Sequence, residues 1–303
     1  MPVHLREIVR VPDNSTVRYH DSTQPYRVTP VWQITLFGRV ALHAGEREVV
    51  LRSRKAKALL AYLALTPSGR ETRDRLVGLL WSETESDKAR ASLRQLLHGL
   101  HKTFEAECLF GLSIDNSSVS LDKSAFLTDL DSAGTSIDRG DPADALVNEP
   151  RITDTLLCGY EDVDPHFGTW LTTKRERVRQ NLIRRLEAHL CLTPRRVEEV
   201  KRIAQALSQV DPTHELACQQ VICACIASGN IGGALAAYKK LWVCLEQEYD
   251  LEPSKATQEL IVAIRSGTHQ RYIGNFEAVG QISAAADQVI HPVNNLAMAG
   301  TVT

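Results

Sequence analysis

From residue 89 to residue 104, apolar side chains recur at three- and four-residue intervals: Ala89, Leu93, Leu96, Leu97, Leu100 and Phe104. That spacing puts all six on one face of an α-helix. The opposite face holds Arg90, Ala91, Arg94, Gln95, His98, His101 and Lys102. Apart from Asp87 at the start, where a helix N-terminus favours an anion, that face carries no acid. A helix with a leucine face is stable only when packed against partners, and the flanking sequence supplies them. Residues 31–37 alternate, with Trp32, Ile34 and Leu36 on one side of a strand and Val31, Gln33, Thr35 and Phe37 on the other, until Gly38 breaks the pattern. Two more strand signals, residues 39–43 and 48–51, flank Ala44-Gly45 as a hairpin. Ser53 caps a predicted helix over residues 54–65, with Ala56, Leu59, Leu60 and Leu63 inward and Pro67 and Gly69 as the stop. Thr72 caps a second helix through Trp81 that buries Leu76, Leu79 and Leu80. After the third helix, residues 112–114 and 119–121 flank Asp115-Asn116-Ser117-Ser118 as a second hairpin. Strands, three helices and a closing hairpin are the element order of a winged helix-turn-helix, expected over residues 30–122.

From Ser124 onward the pattern reads as helix throughout. Helices are predicted over residues 126–138, 142–147 and 166–192, the last with Phe167, Trp170, Leu171, Val178, Leu182, Leu186 and Leu190 as its apolar positions. Val200, Ala204 and Leu207 return 34 residues later as Ala234, Tyr238 and Leu241. That period, with Ser228-Gly229-Asn230 as the intervening turn, points to tetratricopeptide-like packing in which Tyr238 is a buried core residue. A helix over residues 254–265 would cap the stack. The fold class is therefore mainly α with small β-sheets: a winged helix-turn-helix and then a tetratricopeptide-like helical domain over residues 123–267. Residues 1–29 read as a flexible arm. Residues 268–303 read as a disordered tail or as the start of a longer region.

Composition limits the function classes. With 303 residues, 43% hydrophobic and 24% charged, the chain has ordinary globular usage and room for two domains. It contains no apolar run of 18 residues to span a membrane. Residues 1–30 lack the apolar core of a secretory signal. Seven cysteines, an odd number without such a signal, fit a reduced, cytoplasmic chain. Charge is uneven: residues 30–105 hold 13 Lys/Arg against 8 Asp/Glu, whereas residues 106–170 hold 3 against 13. A basic segment followed by an acidic one suggests different partners for the two parts.

Several runs resemble a known family. Leu36-Phe-Gly, the run Arg54-Lys-Ala-Lys-Ala-Leu-Leu-Ala-Tyr-Leu-Ala-Leu65, Arg75-Leu-Val-Gly-Leu-Leu-Trp81 and Ala89-Arg-Ala-Ser-Leu-Arg-Gln95 are similar to an OmpR/PhoB-type winged helix. The version is that of the Streptomyces antibiotic regulatory protein family. The stretch from Trp170-Leu-Thr-Thr-Lys-Arg-Glu-Arg177 to Glu252-Pro-Ser254 resembles the bacterial transcriptional activator domain that follows in that family. The resemblance implies a cytoplasmic DNA-binding regulator, commonly an activator that binds promoter repeats as a homodimer and contacts RNA polymerase. Family recognition helices often carry Asn at the Ala91 position and Arg near Gly99 and His101, so this helix departs from the pattern there.

The chemistry of the third helix fits duplex DNA. The major groove admits one α-helix, arginine can bridge guanine O6 and N7, and lysine mostly meets phosphate. Arg90, Arg94, His98 and His101 form a stripe at intervals of four, four and three residues, with Gln95 and Lys102 beside it. Arg54, Lys55 and Lys57 at the start of the first helix are candidates for backbone phosphate. The plainer alternative for all nine is a solvated basic face. His98 and His101 lack a third metal ligand; His214 and Cys218 share a helix face, as do Cys218 and Cys225, but Cys223 points elsewhere, and helical cysteines in a repeat are more often small core residues than a metal site. Gly229-Asn-Ile-Gly-Gly233 lacks the Gly-Lys-Ser/Thr ending of a phosphate loop. No catalytic motif or cofactor fingerprint is present, so a non-enzymatic regulator is expected. The alternatives are a tetratricopeptide-type adaptor and the regulatory front of a longer signalling protein.

Overall fold

The structure, a computed structural model, describes residues 32–191 and 196–268. The arm expected over residues 1–29 and, but for residue 268, the tail expected over 268–303 lie outside the described residues. The chain divides into two compact units, Met1–Asp129 with Leu157–Leu171, and Leu130–Leu156 with Thr172–Thr303.

The first unit opens with strands β1 (Trp32–Thr35), β2 (Ala41–Ala44) and β3 (Arg47–Val49), paired antiparallel in sequence order. Helix α1 (Arg54–Leu65) follows. The Ser53 hydroxyl caps it by accepting the Ala56 N–H at 3.2 Å. Every residue from Ala58 to Leu65 is buried, more than the single inward face expected, because α1 is packed by helices and a strand together. The short strand β4 (Arg70–Thr72) leads to α2 (Arg73–Leu80), whose cap is the Thr72 hydroxyl. Then come α3 (Ser86–Ala106) and the hairpin β5 (Leu112–Ile114) and β6 (Ser118–Leu121). β4 joins that hairpin in a three-stranded sheet ordered β4-β6-β5, the wing. α1 packs against α2, α3 and β6. At the exit of α1, Gly69 has φ +64° and accepts the Leu121 N–H at 2.7 Å. A Cβ there would sit 2.4 Å from the Leu121 carbonyl oxygen, so glycine is what lets the wing close on α1. The predicted helix faces hold, except that Leu79 and Leu96 are half-buried.

The reading of residues 126–138 as one helix is corrected. Residues Phe126–Thr128 form a strand, β7, that adds to the first sheet parallel to β1, with Trp32 opposite Phe126. The Trp32 and Phe126 rings stack at 4.9 Å, and Phe104 meets Trp32 edge-on at 5.3 Å. The Asp129 carboxylate then accepts the Leu36 and Phe37 N–H groups at about 3.0 Å, and α4 (Asp129–Asp138) starts only there. The chain returns to this unit at Leu157, whose N–H donates to the Leu36 carbonyl at 2.7 Å. The compact unit thus runs past residue 122, where sequence reading put the end of the winged domain, and takes in residues 157–171 as well.

The second unit holds most of α4, α5 (Asp144–Asn148), a 3-10 turn (Ile152–Thr155) and most of α6 (Pro165–Leu190). It continues with α7 (Val197–Val210), α8 (Glu215–Ala227), α9 (Ile231–Tyr249) and α10 (Lys255–Arg265). α8 packs against both α7 and α9. Ala204, Ile222, Ala234, Leu241 and Leu260 share one buried cluster with Cys218 and Cys225. The 34-residue repeat places Ala204 and Leu207 of α7, and Ala234 and Leu241 of α9, in the core. Tyr238 and Val200 are only half-buried; Tyr238 flanks the cluster and meets Trp242 at 5.8 Å. Salt bridges join Arg202 to Asp141 and Asp144, and Arg185 to Asp138.

Glu215 ties the start of α8 to the start of α10. Its carboxylate accepts the Ser254 N–H at 3.0 Å, the Ser254 hydroxyl, and at 2.6 Å the hydroxyl of Thr257, which is fully buried. Burial alone would raise the Glu215 pKa, but these donors outweigh it and hold the group below its ordinary value. A depressed folded pKa gives stability that is present above the unfolded value, about 4.3, and is lost as pH falls through the folded one. Glu215→Gln should therefore destabilise the second unit at neutral pH by about 1–3 kcal/mol and flatten its stability profile below about pH 5. Urea melts of the two full-length proteins from acid to neutral pH measure both effects. Leu241→Ala should cost about 2–5 kcal/mol, the range for a buried leucine, with a smaller loss for half-exposed Tyr238→Ala. Equal losses from the two would show that the burial pattern of α9 is wrong.

Candidate nucleic-acid interface

α3 has 21 residues, a rod of about 30 Å at ~1.5 Å per residue. Ala89, Leu93, Leu97, Leu100 and Phe104 anchor it to the core of the first unit. Arg90, Ala91, Arg94, Gln95, His98, His101 and Lys102 are all exposed, as the periodicity predicts. Two members of this face have partners: Arg90 pairs with Asp74 at 3.3 Å, and the His101 ring lies 3.3 Å from Glu105. Arg94, Gln95, His98 and Lys102 have no hydrogen-bond or ion-pair partner among the described residues. Their donors therefore remain available to a ligand along about two turns of one helix.

The three cations of α1 are held differently. Arg54 donates to Asp162 and to the Gly159 carbonyl and lies 5.8 Å from the Tyr160 ring. The ammonium of Lys55 donates to the Leu80 carbonyl at 2.5 Å and sits 4.7 Å above the Trp81 ring. Burial pushes its pKa down. Lys57 donates to the Val40 carbonyl at 3.2 Å. Lys55 and Lys57 are thus less free to meet phosphate than expected, whereas Arg54 keeps more than half of its side chain exposed. The three cationic heads satisfy carbonyl and carboxylate oxygens of the same unit, because the rest of α1 is buried and its first turn lies against residues 157–171 and the end of α2.

The turn before α3 is fixed by a buried carboxylate that sequence reading passed over. Asp164 accepts the Ser82 N–H at 2.8 Å, the Ser82 hydroxyl at 2.7 Å and the His166 N–H at 3.0 Å. His166 Nδ1 lies 2.9 Å from the Gly78 carbonyl oxygen. Two further arginines also escaped notice. Arg70 is carried to the wing by β4, where it donates to the Ser118 hydroxyl at 2.8 Å and lies 3.8 Å from Asp115. Arg73 opens α2, its N–H donates to the Ser117 carbonyl, and its buried Nε has no partner among the described residues. β4 has only three residues and no legible period; the nearest signal was the cap residue Thr72 between these two arginines.

In the second unit, the residues considered for a metal have other roles. His214 Nδ1 accepts the Ala217 N–H as the cap of α8, and its Nε2 lies 2.9 Å from Glu187. Burial raises Cys218 to about 12 and Cys223 to about 11, so both stay as unreactive thiols at neutral pH. Among the described residues no three His, Cys, Asp or Glu side chains group as a metal site. No described helix is long and apolar enough to cross a membrane.

A family model described as the bacterial transcriptional activator domain matches residues 121–265. The chain carries a bacterial transcriptional activator domain. Among solved structures, Mycobacterium tuberculosis EmbR, determined in complex with a low-affinity phosphopeptide, is similar over 86% of this chain and 72% of its own, with a TM-score of 0.52 and 19% identity. At that identity the likeness concerns the fold. No curated protein matches the chain significantly. The matched domain and the likeness in fold support the order read from the sequence, a winged helix and then a bacterial transcriptional activator domain.

Gly99 lies on the flank of α3, and a Cβ there would meet no atom within 4 Å. Glycine inside a helix costs up to about 1 kcal/mol relative to alanine. Gly99→Ala should therefore stabilise the first unit by about 0.5–1 kcal/mol, read as a higher melting temperature of the full chain. A lower one would place an unseen close contact at this flank.

Proposed function

We propose that the chain is a sequence-specific DNA-binding transcription regulator that inserts α3 into the major groove. The observation that carries this reading is the exposed, unpartnered quartet Arg94, Gln95, His98 and Lys102, on a helix whose other face is locked into the core. Arg94 lies mid-helix, where a base edge would be met; its guanidinium suits guanine, and Gln95 suits adenine. Lys102 lies near the C-terminal end and is assigned to phosphate. Arg90 can exchange its exposed pairing with Asp74 for a phosphate at little cost, since surface ion pairs contribute ~1 kcal/mol or less. His98 and His101 add ring N–H donors to the same face. Arg70 and Arg73 supply cations beside the wing. Activation, contact with RNA polymerase and assembly as a homodimer on repeated sites complete the reading; their support is the activator-domain match and the domain order.

Binding-site selection with the full chain, followed by affinity measurements over a salt series, tests it. Affinity should fall steeply with salt as counterions are released. Arg94→Ala should relax preference at one or two base positions and cost about 1–3 kcal/mol on the selected site. Lys102→Ala should weaken all sequences alike and make the salt slope shallower. Arg54→Ala should weaken all sequences modestly and alike, because its exposed pairing with Asp162, like that of Arg90 with Asp74, can be exchanged for a phosphate. An unchanged preference profile for Arg94→Ala would remove α3 from the groove.

A further inference from the structure

The second unit has a cavity, open to solvent on one side, of about 270 Å³, close to the lower end of the ~300–1,000 Å³ usual for small-molecule sites. It is lined by α7, α8 and the first three turns of α9, together with Val147 of α5. Its floor is apolar, with Val221, Cys225, Ala237 and Leu241 among the lining. The polar residues around it are Lys201, Gln205, Ser208, Gln209, Asn230 and Lys240. No Asp or Glu lines it. Lys240 donates to Gln209 at 2.7 Å and keeps further ammonium protons. The N-terminal end of α9, a 19-residue helix, also borders the cavity, more than two turns from Lys240. Asn230 folds back there to accept the Gly233 N–H at 2.8 Å, which the missing Cβ of Gly233 permits. Glu215, the nearest carboxylate to influence Cys218, is occupied by Ser254 and Thr257.

We propose that this cavity binds a compact organic carboxylate, with its apolar body on the Val221–Leu241 floor and its carboxylate at Lys201 and Lys240. Two lysines facing no acid favour an anion. The absence of any arginine from the lining disfavours phosphate, whose geometry the guanidinium fork matches best. The apolar floor requires a hydrocarbon body, and the volume keeps that body small. The carboxylate belongs either to a free acid or to the last residue of a peptide.

Calorimetric titration of the full chain tests this, with octanoate and hydrocinnamate as probes and octanamide as the uncharged counterpart of octanoate. Both acids should bind and raise the melting temperature, with the amide weaker by about tenfold or more. The double variant Lys201→Gln/Lys240→Gln should lose about tenfold for the acids, whereas Lys239→Gln, on the exposed side of α9, should not. Thermal melts of each variant without ligand separate loss of binding from loss of folding. As a variant that leaves charge alone, Ala237→Leu should weaken both acids by filling the floor. An acetylated tripeptide ending in leucine, free or amidated at its C-terminus, distinguishes the sources: tighter binding of the free-acid peptide than of octanoate assigns a chain terminus, and weaker binding assigns a small acid. The proposal is overturned if neither acid binds, if amide and acid bind alike, or if the double lysine variant keeps full affinity.

Discussion

From Ala58 to Leu65 no side chain of α1 reaches solvent freely, and much of the first unit follows from that. A helix apolar on all sides needs neighbours on all sides, which α2, α3 and β6 supply. Once they are in place, the cationic turn at the start of α1 is crowded too. Lys55 and Lys57 are drawn to carbonyl oxygens of their own unit, and Arg54 pairs with Asp162 at the exposed surface. A lysine that loses water must recover hydrogen bonds nearby, and the Leu80 carbonyl and Trp81 ring provide this for Lys55. α3 then has one face claimed by the core and one face left without internal partners. The surface proposed to read DNA is the one that the packing leaves unsatisfied.

Which parts of this were readable depended on how local their causes are. Ser53 and Thr72 cap the helices they were expected to cap, since capping involves residues only three apart. The α3 faces were readable because a 21-residue helix repeats its period several times. β7 was not, because Phe126–Thr128 is too short to show alternation. It is a strand because Trp32, far away in the chain, offers a ring to stack on and an open sheet edge. The fate of Arg54 was hidden for the same reason: Asp162 and Gly159 reach it through a return of the chain that no pattern near residue 54 announces. Tyr238 was overread. The 34-residue repeat identifies equivalent positions on α7 and α9, but equivalence in register does not make each position equally buried, and the smaller Ala234 and Leu241 take the centre.

The helical unit shows the same division between local and distant causes. Its helices are delimited by Pro212, Gly229, Asn230 and Pro253, all legible as breakers. What holds its last helix is Glu215, a first-turn acid that would pass for a partner of the helix dipole. Its carboxylate instead reaches the cap of α10 and the buried Thr257 hydroxyl, so a group usually found in solvent acts as an inter-helix clamp. The cavity is assembled from three helices whose polar residues lie far apart in sequence, and neither Lys201 nor Lys240 belongs to a recognisable motif. Side chains that look like an ordinary solvated face in one dimension become a set of converging donors once α7 and α9 stand on either side of α8.

A ligand in that cavity has one assured consequence: by mass action it stabilises the packing of α7, α8 and α9, in proportion to the logarithm of its concentration over its dissociation constant. That alone does not make it a regulator. An effector shifts a functional equilibrium only as far as it binds two states with different affinity, and the coupling must be reciprocal. If the carboxylate alters DNA affinity by some factor, DNA must alter carboxylate affinity by the same factor. Lys201 and Lys240 lie on different helices, so any state that changes the spacing of α7 and α9 separates the two charges that would hold the anion. The cavity is therefore suited to sensing that spacing, and calorimetry with and without DNA would give the coupling in each direction from one protein.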